Sequence, residues 1–122
     1  MTRRFGIALT FGVLCSAVSV LAHHSAAPTY DTDQKITLHG TITKLEWKNP
    51  HVFYYIDVTD AAGKVTNWAV ESGNPTDMSK RGWARTSFKP GTEVTVTLQP
   101  SKSGQPVGRI MAVTLATGQT FK

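Results

Sequence analysis

A chain of 122 residues is sized for one domain, and its single cysteine, Cys15, allows neither a disulfide framework nor a thiolate metal site. The formal net charge of +5 falls to +3 once Arg3 and Arg4 are set aside, and the remaining cations are scattered, with Lys80, Arg81 and Arg85 as the densest group. That balance argues against the basic stripe of a nucleic-acid binder.

In chain order, Arg3 and Arg4 precede an apolar run from Phe5 to Leu21, and Val20-Leu21-Ala22 sets a small residue before a cut. These are the three parts of a secretory signal, so residues 1–22 are expected to be removed and the mature protein to be periplasmic or secreted. A spanning helix needs roughly 20 apolar residues. This run is shorter and contains Gly6 and Gly12, so no stable membrane insertion is expected after cleavage. Phe5-Gly6-Ile7 fits a twin-arginine signal poorly, and Leu14 before Cys15 does not suit lipid attachment.

Residues 23–35 lack an apolar period and read as an extended tail, packed on the domain through Tyr30. The first strand is expected over Ile36 to Trp47. Its apolar parity switches between Ile42 and Leu45, which implies a bulge or bend, and Gly40 permits one. Lys48-Asn49-Pro50 is a turn. His51 to Val58 alternates as a second strand, with Val52, Tyr54 and Ile56 on one face and Phe53 and Tyr55 on the other. A polar hairpin loop, Asp60 to Lys64, leads to a third strand, Val65 to Glu71.

Asn74 followed by Pro75 marks the start of a short helix, with Asp77 in its first turn, Lys80 and Arg81 in its last, and Gly82 as the stop. Lys89-Pro90-Gly91 turns into a fourth strand, Thr92 to Leu98. A fifth covers Val107 to Leu115, and Thr117-Gly118 turns into a last short strand, Gln119 to Lys122. The order of three strands, a helix and two strands, with a long bent first strand, is that of an all-β protein with one short helix: a small five-stranded OB-like barrel over residues 36–122. A small sandwich and another open barrel remain as alternatives.

Several blocks carry a resemblance. They are His23-His24-Ser25, Tyr30-Asp31, Gly40 to Trp47, Asn49-Pro50-His51, Gly63 to Trp68, Arg81-Gly82-Trp83, Arg85, and Lys89-Pro90-Gly91 leading to Val94 and Val96. Through them nearly the whole mature chain resembles a family of small exported bacterial proteins known as a domain of unknown function. The resemblance implies the compartment and the barrel; it implies no catalytic residue.

Two sets of residues carry chemistry. Cleavage after Ala22 would leave His23 at the N-terminus, where its α-amine and Nδ1 can chelate one ion. Such a nitrogen set suits Cu(II), with His51 completing it or His24 offering a second mode. The competing reading is a solvated tail, and zinc is less suited without cysteine or a nearby carboxylate. The second set is aromatic and polar: Trp47, Asn49, His51, Phe53, Tyr55, Trp83 and Arg85. OB-folds bind ligands on the face of strands two and three and on adjacent loops. There aromatics stack on flat or sugar-like rings and arginine supplies fork hydrogen bonds. Trp47, Trp68 and Trp83 can instead fill the core, and Arg81 and Arg85 can be solvated.

No nucleophile elbow, phosphate loop or paired carboxylates argue for catalysis, and Glu46 and Glu71 are expected to face water. The expectation is a non-enzymatic binding module for a small molecule, saccharide or envelope protein, with no nucleic-acid partner. Copper binding is the alternative, and an accessory subunit positioning an exported enzyme is a third.

Overall fold

The computed structural model describes residues 28–122. The expected leader and His23 to Ala27 lie outside them.

β1 (Ile36–Glu46) serves two partners. Its first half, Ile36 to Thr41, pairs antiparallel with β4 (Glu93–Pro100), and its second half, Thr41 to Glu46, with β2 (Phe53–Thr59). β2 pairs with β3 (Val65–Glu71), and β4 with β5 (Val107–Leu115). The barrel closes where β3 and β5 run parallel, with Ala69 beside Val107, Val70 beside Gly108 and Glu71 beside Arg109. Five strands thus close in the OB-fold order, and β6 (Thr120–Phe121) extends the edge of β5.

The bend in β1 combines two devices. The register slips between Ile42 and Lys44, so the bulge lies at Thr43, three positions beyond the glycine that suggested it. Gly40 has a different task. A Cβ there would press on the Asp57 carbonyl oxygen and lie 2.7 Å from Ile56 Cγ2, so β2 can cross β1 this closely only over a glycine.

β2 begins at Phe53, two residues later than its alternation suggests. His51 and Val52 lead into it outside the ladder, although the Val52 amide still donates to the Gly73 carbonyl at 2.9 Å and Ser72 donates to Val52 at 2.8 Å. These bonds hold His51 close to the end of β3.

The inward residues match the alternation. Val52, Tyr54, Ile56, Val70, Val94, Val96, Leu98 and Val113 are buried in one core. α1 (Pro75–Lys80) starts at Asn74, whose side chain accepts the Asp77 amide at 2.9 Å, and it inserts Met78 into that core. Trp83 and Phe88 follow from the segment after the helix. Phe88 packs edge-on against Tyr54, Trp83 and Phe121, with ring centroids 5.5, 5.3 and 4.8 Å away. This corrects the expectation for Trp83 as a ligand-facing residue: it is 2% exposed, because the chain after the helix must plug the barrel with its largest apolar side chains. Trp68 is partly buried against the same core.

The segment before β1 lies along the barrel. Tyr30 bridges to Ser101, the Asp31 amide donates to the Pro100 carbonyl at 2.8 Å, and Tyr30 is buried. Among the described residues no helix is long and apolar enough to cross a membrane.

Candidate functional site

Side chains alternate across a strand, and register therefore lines up residues from different strands on the outer wall. Glu46 lies opposite Phe53, Phe53 opposite Glu71, Glu71 beside Arg109, and Arg109 opposite Gln99. This row crosses the β3–β5 closure, and the polar side chains converge at its Glu71–Arg109 step.

Glu71 is the centre of the convergence. Its Oε1 accepts from His51 Nδ1 and its Oε2 accepts from the Tyr30 hydroxyl. Burial first, and then the Glu71 carboxylate, push the Tyr30 hydroxyl well above the ordinary tyrosine range, while Arg109 opposes the shift. Tyr30 is thus a neutral donor. A carboxylate only accepts, so His51 carries a proton on Nδ1 and turns Nε2 outward from this bond. The Arg109 guanidinium lies 4.8 Å from the centroid of the Tyr30 ring, a cation–π contact. Tyr30 is thereby held on both its edge and its face.

Beside these groups is an open pocket of about 310 Å³, lined by His51, Glu71, Ser72, Arg81 and Arg109, with Gly73 and Ile110 completing the wall. Arg81 closes one side from just past α1. Its Nη2 is 2.9 Å from Met78 Sδ, and the Ser72 hydroxyl donates to the same sulfur at 2.9 Å. Gly73 lies directly beside the guanidinium: a Cβ there would stand 3.4 Å from Arg81 Nη2, at van der Waals contact. A thioether is a weak acceptor, so this contact orients Arg81 without neutralising it. Among the described residues the ion pairs are Lys44–Glu46, Lys48–Glu46, His51–Glu71 and Lys80–Asp77; neither Arg81 nor Arg109 belongs to one.

The residues expected to bind ligand are divided by the fold. His51 alone of them lines the pocket. Phe53 is half-buried on the outer wall opposite Glu71. Tyr55, further along, carries Lys44 Nζ 5.0 Å above its ring. Trp47 is partly buried against the core, Asn49 is exposed in the turn, and Arg85 is exposed away from the pocket. His23 and His24 lie outside the described residues. Among the described residues no three His, Cys, Asp or Glu side chains gather as a metal site.

Sequence reasoning missed Glu71, Arg109 and the polar role of Tyr30. Glu71 does not face water freely: its side chain is 13% exposed and both oxygens are engaged. No local spacing signals this group, because its members come from the tail, β3, β5 and the lead into β2. Arg81 was visible as a cation in the last turn of the helix and in the Arg81-Gly82-Trp83 block, where it reads as solvated rather than ligand-facing.

Among solved structures, the chain is similar to the mitochondrial single-stranded DNA binding protein Rim1 from S. cerevisiae. The TM-score is 0.50 at 13% identity, covering 68% of this chain and 94% of that chain. At that identity the likeness is one of fold, the OB barrel. No curated protein matches the sequence. The model of DUF6152, a family of unknown function, matches residues 10–110, and the chain belongs to that family.

Proposed function

We propose that this protein is an exported, non-enzymatic binding module that holds a small ligand in the pocket at the β3–β5 closure. One observation carries the reading: His51, Ser72, Arg81 and Arg109 converge on one opening, and Glu71 braces His51 and Tyr30 beside it. Pre-positioned polar groups with a single apolar wall suit recognition of a small polar molecule. Export rests on the leader-like N-terminus. The expected ligand is a small molecule, a saccharide or a group presented by an envelope protein. The DNA-binding neighbour transfers no ligand, since the two chains share a barrel at low identity.

The test has two parts. Expression of the full chain in a Gram-negative host, followed by fractionation and mass measurement, should return a periplasmic species lacking residues 1–22; a cytoplasmic full-length product would refute export. Amide-shift mapping against a panel of small molecules should place the responding residues around His51, Glu71 and Arg109. A response confined to another face would move the site.

Copper binding is the second reading, favoured by one specific contact. Metal-binding histidines commonly donate the other ring N–H to a carboxylate, and Glu71 holds His51 in that way. Tyr30 ties the chain following His23 and His24 to the same carboxylate. Two guanidiniums lining the pocket weigh against a cation there, which ranks this reading second. A Cu(II) titration of protein beginning at His23, compared with a Met-extended form, decides it. Affinity through the α-amine must fall on extension; equal affinity would rule the amine out.

A further inference from the structure

The pocket's electrostatics narrow the class of ligand. We propose that it is an oxyanion site, taking the carboxylate or phosphate group of a small molecule between Arg81 and Arg109. The inference rests on the reading of this pocket as the ligand site.

Three observations carry it. First, both guanidiniums line the opening and neither has a carboxylate partner among the described residues. Second, the one carboxylate among the described residues of the pocket accepts from His51 and Tyr30, and neither arginine stands within ion-pair distance of it. Two guanidiniums against one carboxylate leave the pocket a surplus positive charge. Third, each guanidinium is oriented by a neighbour that leaves its charge intact: Met78 Sδ for Arg81 and the Tyr30 ring for Arg109. A planar fork of N–H donors held in this way matches a carboxylate or phosphate edge, which a lysine at the same place would not. His51 and Ser72 lie on the same lining, but the Ser72 hydroxyl and the His51 Nδ1–H already donate to Met78 and Glu71, so recognition of the anion falls to the two guanidiniums. The volume, about 310 Å³, is at the small end of ligand pockets, which limits the occupant to a compact anion or the anionic end of a larger molecule.

Calorimetry on the protein beginning at His23 tests this with three probes: inorganic phosphate, citrate and maltose. Phosphate or citrate should bind one-to-one. Arg81→Gln and Arg109→Gln should each weaken that binding at least about tenfold, equal to ~1.4 kcal/mol. Lys89→Gln, a cation removed elsewhere on the surface, should leave it unchanged. Thermal midpoints confirm that the exposed arginine variants remain folded. Which of the two anions binds more tightly separates phosphate from carboxylate as the source. Anion binding that survives both arginine variants, or is absent at millimolar concentration, overturns the inference. Maltose binding with amide shifts at His51 and Glu71 would overturn the anion class and leave the pocket standing; no response at the pocket to any probe would overturn both.

Discussion

His51 and Tyr30 share one acceptor, the Glu71 carboxylate, which takes the imidazole on Oε1 and the phenol on Oε2. The lead into β2 and the segment before β1 are thereby fastened to the last residue of β3. Loss of the acceptor should loosen both. Glu71→Gln leaves a donor facing one of two donors, and the expected loss is about 1–3 kcal/mol in urea unfolding. Hydrogen exchange should quicken at the Asp31 amide, which bonds to Pro100. Unchanged protection there would mean that the backbone bonds alone hold the segment.

Trp83→Ala should act on stability. The side chain is 2% exposed within the Tyr54–Phe88–Phe121 cluster, and its removal opens a cavity costing about 3–5 kcal/mol. Chemical denaturation measures this directly. A loss below about 1 kcal/mol, the ordinary size for a single substitution, would contradict the core position.

Tyr54 is buried with a hydroxyl that meets no hydrogen-bond partner among the described residues, and burial pushes its pKa upward. Tyr54→Phe removes a desolvated polar group without changing the ring packing. The expected result is a neutral or stabilising change of up to about 1 kcal/mol. A destabilisation of that size would reveal a partner for the hydroxyl.

Gly40→Ala should destabilise the barrel although it adds one methyl group. The new Cβ would press on the Asp57 backbone, which cannot yield as a side-chain tip can. A loss of about 1–3 kcal/mol is expected by differential scanning calorimetry, as for other overpacked sites. Gly63→Ala, at a φ of 82° in an open turn, offers a contrast in which the strain is conformational rather than steric.

Glu46 provides a pH test. Its hydrogen bond to Lys44 lowers its pKa, and the same bond raises that of Lys44. A lowered folded-state value means that the pair's contribution is present above the unfolded glutamate pKa and disappears as pH falls through the folded value. NMR titration should give Glu46 a midpoint below the ordinary glutamate range, and Lys44→Met should return it upward. The effect should shrink in high salt, since the pair is solvent-facing. A midpoint indifferent to Lys44→Met would contradict the assigned cause.

Much of the fold was legible because it depends on local chemistry. β3 and β5 run over the spans their alternation marks, and Asn74-Pro75 starts the helix where a cap and a missing N–H require it. The parity switch in β1 announced a bend, and only pairing with β2 put the bulge at Thr43. Trp83 was ambiguous for a physical reason: a large aromatic after a helix serves equally as plug or contact residue until the barrel mouth is built. Of the pocket only His51 was legible as a ligand-facing residue, since Tyr30, Glu71, Arg81 and Arg109 have no shared spacing.

The sequence by itself determined the strands, the helix start and the element order of the barrel, because periodicity and capping are properties of neighbouring residues. Tertiary structure alone decided which polar residues meet. The parallel closure of β3 on β5 sets Arg109 beside Glu71, and the backbone bonds of Val52 to residues 72 and 73 bring His51 to the same carboxylate. Those contacts depend on register between distant strands, and register is fixed only when the whole core is buried at once.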